Sequence, residues 1–342
     1  MPRRNRRGTT ALTELRFNPL LGRWVTVAAE RMSRPSDFVP RRLPVEADPA
    51  RPCPFCPGHE EDTPPALETY GPRGQWQVRV VPNLYPAFAG SGPLSPTDHG
   101  PLHRSAPARG IHEVLVLSPH HRLSWADLSD AQAGLVMAAI RDRVEDHANQ
   151  PGLEYTQVIL NHGREAGASL EHPHGQLLGI PFVPGELDDE LANFARFSRD
   201  DGRGERGLLQ AVLHEEEQRG ERIVIDDERV VALCPYWSGS PYELLVVPRR
   251  PSAHLDRAAP GDLAATGRVL RDVLSRLRAL LGDIAYNLVF HTAPHHAEPD
   301  FCWHVHVLPK TATAAGFEQG TGVRINVVPP ERAAQQLVDI AG

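Results

Sequence analysis

Apolar positions recur along this chain with two periods, and the expected elements follow from them. A period of two marks strands that bury one face. It runs through Arg23–Val27 (after a turn at Asn18–Gly22), Trp76–Val81, His112–Ser118, Tyr155–Asn161, Gln176–Ile180, Tyr242–Pro248, Tyr286–Phe290, Trp303–Pro309 and Val323–Val328. Helical spacing predicts two longer helices. One buries Leu135, Val136, Ala139, Ile140 and Val144; the other buries Leu270, Val273, Leu274, Leu277 and Leu281. Ser129 with Gln132 reads as a capping box that starts the first of them. Shorter helical stretches carry Leu191, Phe194 and Phe197, then Leu208, Leu209, Val212 and Leu213, and a last one follows Pro330. Residues 36–73, rich in proline and charge, and residues 89–110, rich in Gly, Pro and Ser, read as loops.

The pattern repeats. Tyr242–Pro248 echoes the strand from His112, and the Leu270 helix echoes the Leu135 helix. Tyr286–Phe290 echoes Tyr155–Leu160, and Trp303–Pro309 echoes the stretch from His172. Glu113 and His172 are 59 residues apart, Glu243 and His304 61. Near-equal spacing across strand, helix, strand and strand predicts a duplicated α+β unit, with antiparallel sheets, helices packed on them, and the two sheets joined. The halves are placed at residues 15–184 and 185–342.

Composition narrows the class. The chain has 342 residues, 41% hydrophobic and 23% charged, with a net charge of -7. No basic stripe suits nucleic acid, although a single nucleotide needs only a few donors. No apolar run approaches the roughly 18 residues that span a bilayer. The basic Met1–Arg7 is not followed by an apolar stretch, so a frayed tail and a cytoplasmic location are expected, with no membrane partner. Four cysteines argue against a disulfide framework. Seventeen histidines, clustered around 99–121, 162–174 and 291–306, lie in a chain that also holds Cys53-Pro-Phe-Cys56, which is a metal signal. A redox role would need a helix to begin at Cys56. Pro57-Gly58 disfavours that, so zinc is the better reading, with two further ligands to be found.

The candidate chemistry gathers at Glu171-His172-Pro173-His174-Gly175-Gln176. Pro173 keeps the backbone extended. The two imidazoles are expected to turn to opposite sides, one to a structural partner and the other to a pocket. Gly175 is expected to leave room for a bulky group, and Gln176 offers an amide donor. The alternative is a pair of satisfied histidines in a turn. A neutral imidazole attacks phosphorus well near pH 7, because its ordinary pKa is about 6.5. Donors could come from Gln176, Ser169 and Asn161. Arg31 and Arg34, three apart before Pro35, could hold phosphate or stand in a solvated loop. Glu186, Asp188, Asp189 and Glu190 suit a helix N-terminus, as caps or solvated charge. With no Walker loop and no base beside a serine or cysteine, phosphoryl transfer through histidine is preferred over acyl transfer.

These residues resemble the histidine triad superfamily, and more closely its transferase branch, the galactose-1-phosphate uridylyltransferase family. The resemblance runs from about Asn18 to Pro330. It is carried by Cys53-Pro-Phe-Cys56, Asn83, Ser118-Pro-His-His121, Asn161 with Gly163, His172-Pro-His174-Gly-Gln176, Trp303-His-Val-His306 and Phe317-Glu318. It implies two histidine-triad-like halves and a ping-pong exchange of UMP between UDP-glucose (or UDP-galactose) and galactose 1-phosphate. His174 would carry the uridylyl group and Gln176 would bond it. It implies a structural zinc on Cys53, Cys56, His121 and His172, and a second metal, zinc or iron, on Glu190, His291, His304 and His306. Asn83, Asn161, Ser169, Arg31 and Arg34 match nucleotide and phosphate contacts, and Glu318 matches a residue that reads sugar hydroxyls. A homodimer with active sites shared across the interface is implied as well. Two positions depart from the pattern. The sugar-side lysine aligns near Ala312, with Lys310 offset, and Arg324 stands where the better-known enzymes have glutamine. The run Gly316–Gly322 also resembles the branch containing ADP-glucose phosphorylase. The alternative is therefore adenylyl transfer from ADP-glucose, or a related hydrolase, through the same histidine.

Overall fold

A computed structural model describes residues 13–29, 52–200 and 207–340. Arg31 and Arg34 lie outside the described residues. The first strands are β1 (Glu14–Asn18), β2 (Arg23–Val27), β3 (Glu68–Tyr70) and β4 (Val78–Pro82). A two-residue hairpin, β5 (Thr97–Asp98) and β6 (Arg104–Ser105), sits inside the stretch read as loop. Then come β7 (Ile111–Val116), α1 (Asp130–Ala148), β8 (Tyr155–His162), β9 (His174–Ile180), α2 (Gly185–Asp200) and α3 (Leu208–Arg219). The chain continues with β10 (Ile223–Asp226), β11 (Val230–Leu233), β12 (Leu244–Pro248), α4 (Pro260–Leu281), β13 (Tyr286–His291) and β14 (His304–Pro309). It closes with α5 (Gly316–Thr321), β15 (Ile325–Asn326) and α6 (Pro330–Asp339).

The main sheet has ten strands in the order β10-β11-β12-β14-β13-β8-β9-β7-β4-β3. The order is palindromic about the β13–β8 seam. The expected joining of two antiparallel sheets is therefore a single continuous ladder, with Asn287 opposite Asn161 and Leu288 opposite Leu160. β10 and β11 were not expected from the sequence; they complete the second five-stranded set. A separate sheet, β1-β2-β15, holds the tail against the N-terminal hairpin.

Side-chain alternation sorts the two faces of the large sheet. Val158, Leu160, Leu177, Leu288, Phe290, Val305 and Val307 are buried in one core cluster with α1 and α4 residues such as Val136, Ile140, Leu270 and Leu274. The two helices approach closely. A Cβ on Gly267 would lie 2.7 Å from Ala133 O, and the Trp125 indole donates to Gly267 O at 3.0 Å. The residues between these positions point to the other face, and the candidate chemistry is there. The expected capping box is half present. Ser129 Oγ accepts from Gln132 N, but the Gln132 amide donates to Gln77 O and Leu117 O and does not return to the cap. Tying α1 to β4 and to the end of β7 takes precedence over the local cap.

Candidate active site and two metal-ligand clusters

β9 begins at His174, and the bend just before it decides where each imidazole points. Residues two apart on a regular strand share a side, so alternation alone would not separate His172 from His174. The rings part because His172 lies in the bend at Glu171-His172, ahead of the strand. His172 Nε2–H donates to Ser118 O at 2.8 Å, which turns Nδ1 towards Cys53 Sγ at 3.7 Å and Cys56 Sγ at 3.6 Å. His121 Nδ1 stands 3.3 Å from Cys56 Sγ. The four ligand atoms lie within 4.8 Å of one another. A tetrahedral zinc with bonds of about 2.3 Å to sulfur and about 2.0 Å to nitrogen has ligand–ligand edges of roughly 3.5 Å, and these distances fit it. Burial and the neighbouring Cys53 push the Cys56 thiol up to about 11, and burial brings His172 down to about 4. Paired thiols and a neutral imidazole call for a cation to take their lone pairs.

The Cys53–Cys56 turn also supplies a wall for His174. Phe55 is buried, with its ring 6.0 Å from His172 and 5.4 Å from His174. His174 Nδ1–H donates to the carbonyl of His172 at 2.8 Å. A carbonyl only accepts, so the proton is on Nδ1 and the Nε2 lone pair is free. Burial holds the ring's pKa below its ordinary value, which keeps it neutral and nucleophilic. The residue is 7% exposed, and a small cavity beside it is lined by Leu117, Asn161, Gly163, Leu170 and Tyr286 among others. Gly175 has a different use from the one expected. A Cβ there would meet Ile159 O at 3.0 Å, so the glycine lets β8 and β9 pack.

Gln176, Asn161 and Asn83 share the His174 face. Gln176 Oε1 is 2.7 Å from His112 Nε2, Asn161 Oδ1 accepts from Asn287 Nδ2 at 2.7 Å, and Asn83 Oδ1 accepts from Tyr85 N at 2.9 Å. Ser169 is exposed on the loop after β8. Glu318 and Arg324 are not part of this set. The Glu318 carboxylate accepts from Ala315 N and Ile325 N, which shapes α5 and the turn into β15. Arg324 packs its Cβ and Cγ on Gly239 and attracts the buried Glu243. The Glu318 partners are local, whereas Arg324 reaches Gly239 and Glu243 from a distant part of the chain.

The second cluster joins Glu190, His291, His304 and His306, whose ligand atoms lie within 4.8 Å of one another. Glu190 is 1% exposed, so solvation at the start of α2 is not its role. Burial alone would raise its carboxyl, but the three imidazoles draw it down to about 2. His291 Nδ1 is 2.9 Å from Glu190 Oε2, and His304 Nε2 is 3.1 Å from His306 Nε2. Three nitrogens and a carboxylate suit zinc or iron.

The register relates the two clusters. His304 Nδ1–H donates to Cys302 O at 2.8 Å, two residues back, as His174 does to His172. Gly175 sits opposite Leu160, and Val305 sits opposite Phe290. His304 therefore corresponds to His174, His306 to Gln176 and His291 to Asn161. This corrects the sequence pairing of Trp303–His306 with His172–His174 by two residues. The C-terminal ligand cluster occupies the positions that hold Asn161, His174 and Gln176 in the N-terminal half. Sequence reasoning missed Phe55, Asn287 and the role of His112. Asn287 shares the period-two face of His291, but that alone does not mark it as a neighbour of Asn161.

Comparisons with known proteins agree with this geometry. Residues 5–184 match the family described as galactose-1-phosphate uridyl transferase, N-terminal domain, and residues 190–320 match its C-terminal domain. An ADP-glucose phosphorylase from Arabidopsis thaliana is 29% identical over 96% of this chain and 93% of its own length. A galactose-1-phosphate uridylyltransferase from Streptomyces lividans is 30% identical over 97% of this chain and 88% of its own. The crystal structure of an ADP-glucose phosphorylase from Arabidopsis thaliana with bound ADP-glucose superposes with a TM-score of 0.80 at 26% identity, covering 96% of this chain and 98% of that one. A uridylyltransferase structure gives 0.73 at 26% identity, covering 95% and 98%. A buried histidine with one free ring nitrogen, a two-thiol, two-imidazole cluster beside it and these matches along both halves lead to one conclusion: the chain belongs to the galactose-1-phosphate uridyl transferase family of enzymes.

Proposed function

We propose that the protein moves a nucleoside monophosphate from a nucleotide sugar to a second acceptor through a covalent intermediate on His174. The observation that carries this is the His174 ring itself, neutral, with Nδ1–H bound to His172 O and Nε2 without a hydrogen-bond partner among the described residues. Nε2 attacks the α-phosphorus, a P–N bond forms, and the bond to the sugar phosphate oxygen breaks, releasing hexose 1-phosphate. The acceptor phosphate then attacks the same phosphorus and restores the imidazole. The Gln176 and Asn161 amino groups would steady the charge that develops on the phosphoryl oxygens. Cys53, Cys56, His121 and His172 would hold zinc, which when bound fixes the turn that carries Phe55. Glu190, His291, His304 and His306 would hold the second metal.

The preferred partners are UDP-glucose and galactose 1-phosphate, with the protein working in the cytoplasm as a homodimer. A second reading has a specific observation in its favour. The chain superposes at 0.80 on a phosphorylase that holds ADP-glucose, and phosphate would then be the acceptor. One experiment separates them. Enzyme incubated with either nucleotide sugar, labelled in the α-phosphate, should retain one label per site, and His174→Ala should retain none. Retention from UDP-glucose alone supports uridylyl exchange, and retention from ADP-glucose alone supports the second reading. Full turnover by His174→Ala would overturn both.

A further inference from the structure

Three side-chain amides, Gln176, Asn161 and Asn83, share the sheet face of His174, and backbone groups decide which end of each is oxygen. Ala87 N–H donates to His112 Nδ1 at 3.0 Å, so the His112 proton must sit on Nε2. That proton faces Gln176 at 2.7 Å, and the atom it meets must be an oxygen. Asn83 Nδ2 lies 3.1 Å from the same ring nitrogen, and the shorter contact takes the proton. On the other side, Asn287 lies within 2.8 Å of the Ala166 carbonyl, so the atom there must be its amino nitrogen. The same nitrogen is 2.7 Å from Asn161, whose facing atom must then be oxygen. Asn83 has its oxygen taken by Tyr85 N–H. All three amide oxygens are occupied, and among the described residues the amino groups of Gln176 and Asn161 are left without a protein acceptor.

We propose that His112 and Asn287 are positioning residues that fix the polarity of this pocket, by binding the amide oxygens of Gln176 and Asn161 so that only N–H donors face the group transferred to His174. Asn287 also holds the loop after β8 through Ala166, and it belongs to β13, in the other half of the duplicated chain. The N-terminal active site is thus completed across the β8–β13 seam. An amide free to rotate would present its oxygen to a phosphoryl oxygen part of the time, a repulsive contact. An amide with its oxygen bound cannot do so, and the donors are in place before the charge develops. This inference rests on the proposed attack by His174 and goes on to say what orients the groups beside it.

The test is a pair of double-mutant cycles on the single-turnover rate of label transfer from nucleotide sugar to protein, run with whichever of UDP-glucose or ADP-glucose labels the wild type. His112→Ala and Asn287→Ala should each slow labelling by about tenfold or more, as misplacing a donor does. In a Gln176→Ala background, His112→Ala should cause no further loss, and in an Asn161→Ala background neither should Asn287→Ala. A merely structural role would slow labelling in both backgrounds, and additive losses overturn the proposal. Should Gln176→Ala and Asn161→Ala label at the wild-type rate, the underlying site assignment falls instead. Thermal unfolding of each variant checks folding. Asn287→Asp, which keeps the size but cannot donate, stands in where the alanine variant does not fold, and it is expected to lose at least as much.

Discussion

His174 depends on a single hydrogen bond to its own chain for its tautomer, whereas a buried carboxylate one strand away depends on several. Glu113, next to His112 in β7, points to the helix side. It is 1% exposed and accepts from Arg143 Nη2 at 2.6 Å and Nε at 2.9 Å, with His147 Nε2 3.2 Å away. Burial would raise its carboxyl, but the bonds from His147 and Arg143 outweigh burial and hold it below the ordinary value. Because its pKa is lower folded than unfolded, its contribution to stability is complete above about pH 4.3, the unfolded value, and is lost as pH falls through the folded one. Glu113→Gln should cost about 3 kcal/mol at pH 7, since it leaves Arg143 short of its buried partner. Urea unfolding from pH 7 down to 3 should show a shallower acid loss for the variant than for the wild type, and equal slopes would refute this assignment. At this scale the sequence was partly readable. His172, His174, Gln176 and the ligand residues stood out because their types and spacing carry chemistry. Asn287 did not, because an asparagine in a strand looks the same whether it solvates an edge or orients a neighbour.

Among the elements, the Cys53–Cys56 turn has the widest reach for its size. It places Phe55 against both imidazoles, and the Arg79 guanidinium donates to its Pro54 carbonyl at 3.3 Å. Withdrawing the metal with a strong chelator, or replacing Cys53 with Ser, should therefore lower the unfolding temperature and slow labelling of His174 together. Metal analysis by mass spectrometry should show loss of one equivalent in Cys53→Ser. Loss of that metal with an unchanged labelling rate would confine the turn to a structural role. The long elements were legible because their periods are strong. α1 and α4 bury the residues expected except Leu135 and Leu281, which are partly buried, and β7, β8, β13 and β14 lie within a few residues of their predicted bounds. β10 and β11 were missed because four-residue strands are too short for a period to show. The bend that parts His172 from His174 was missed because it is a tertiary effect, set by Ser118 and the thiols.

Across the whole molecule, duplication explains why one face carries two clusters of histidines and why they differ. The same backbone slots hold Asn161, His174 and Gln176 in one half and His291, His304 and His306 in the other. Donors with a lone nucleophile suit a phosphoryl group, whereas converging lone pairs with Glu190 suit a cation. Glu318, whose carboxylate accepts only from Ala315 N and Ile325 N among the described residues, would serve the second site of the proposed homodimer. Mixing two inactive variants, His174→Ala and Glu318→Ala, after subunit exchange should restore up to about a quarter of the wild-type activity, since random pairing makes half the dimers mixed and one of their two sites whole. No recovery, with exchange verified by mass, would place Glu318 in the same chain's site. The spacing of the repeat was visible in the sequence, but the seam was not, because nothing in a one-dimensional pattern says which strands become neighbours.

The palindromic strand order also determines what the sheet offers at its two rims. Both halves end outward on a short strand, three residues in β3 and four in β10, and the ladder from β10 to β11 slips register between Ile223 and Ile225. A rim that is brief and broken gives a stray strand little to zip onto, so the broad ladder through the β8–β13 seam is kept from growing into a fibre.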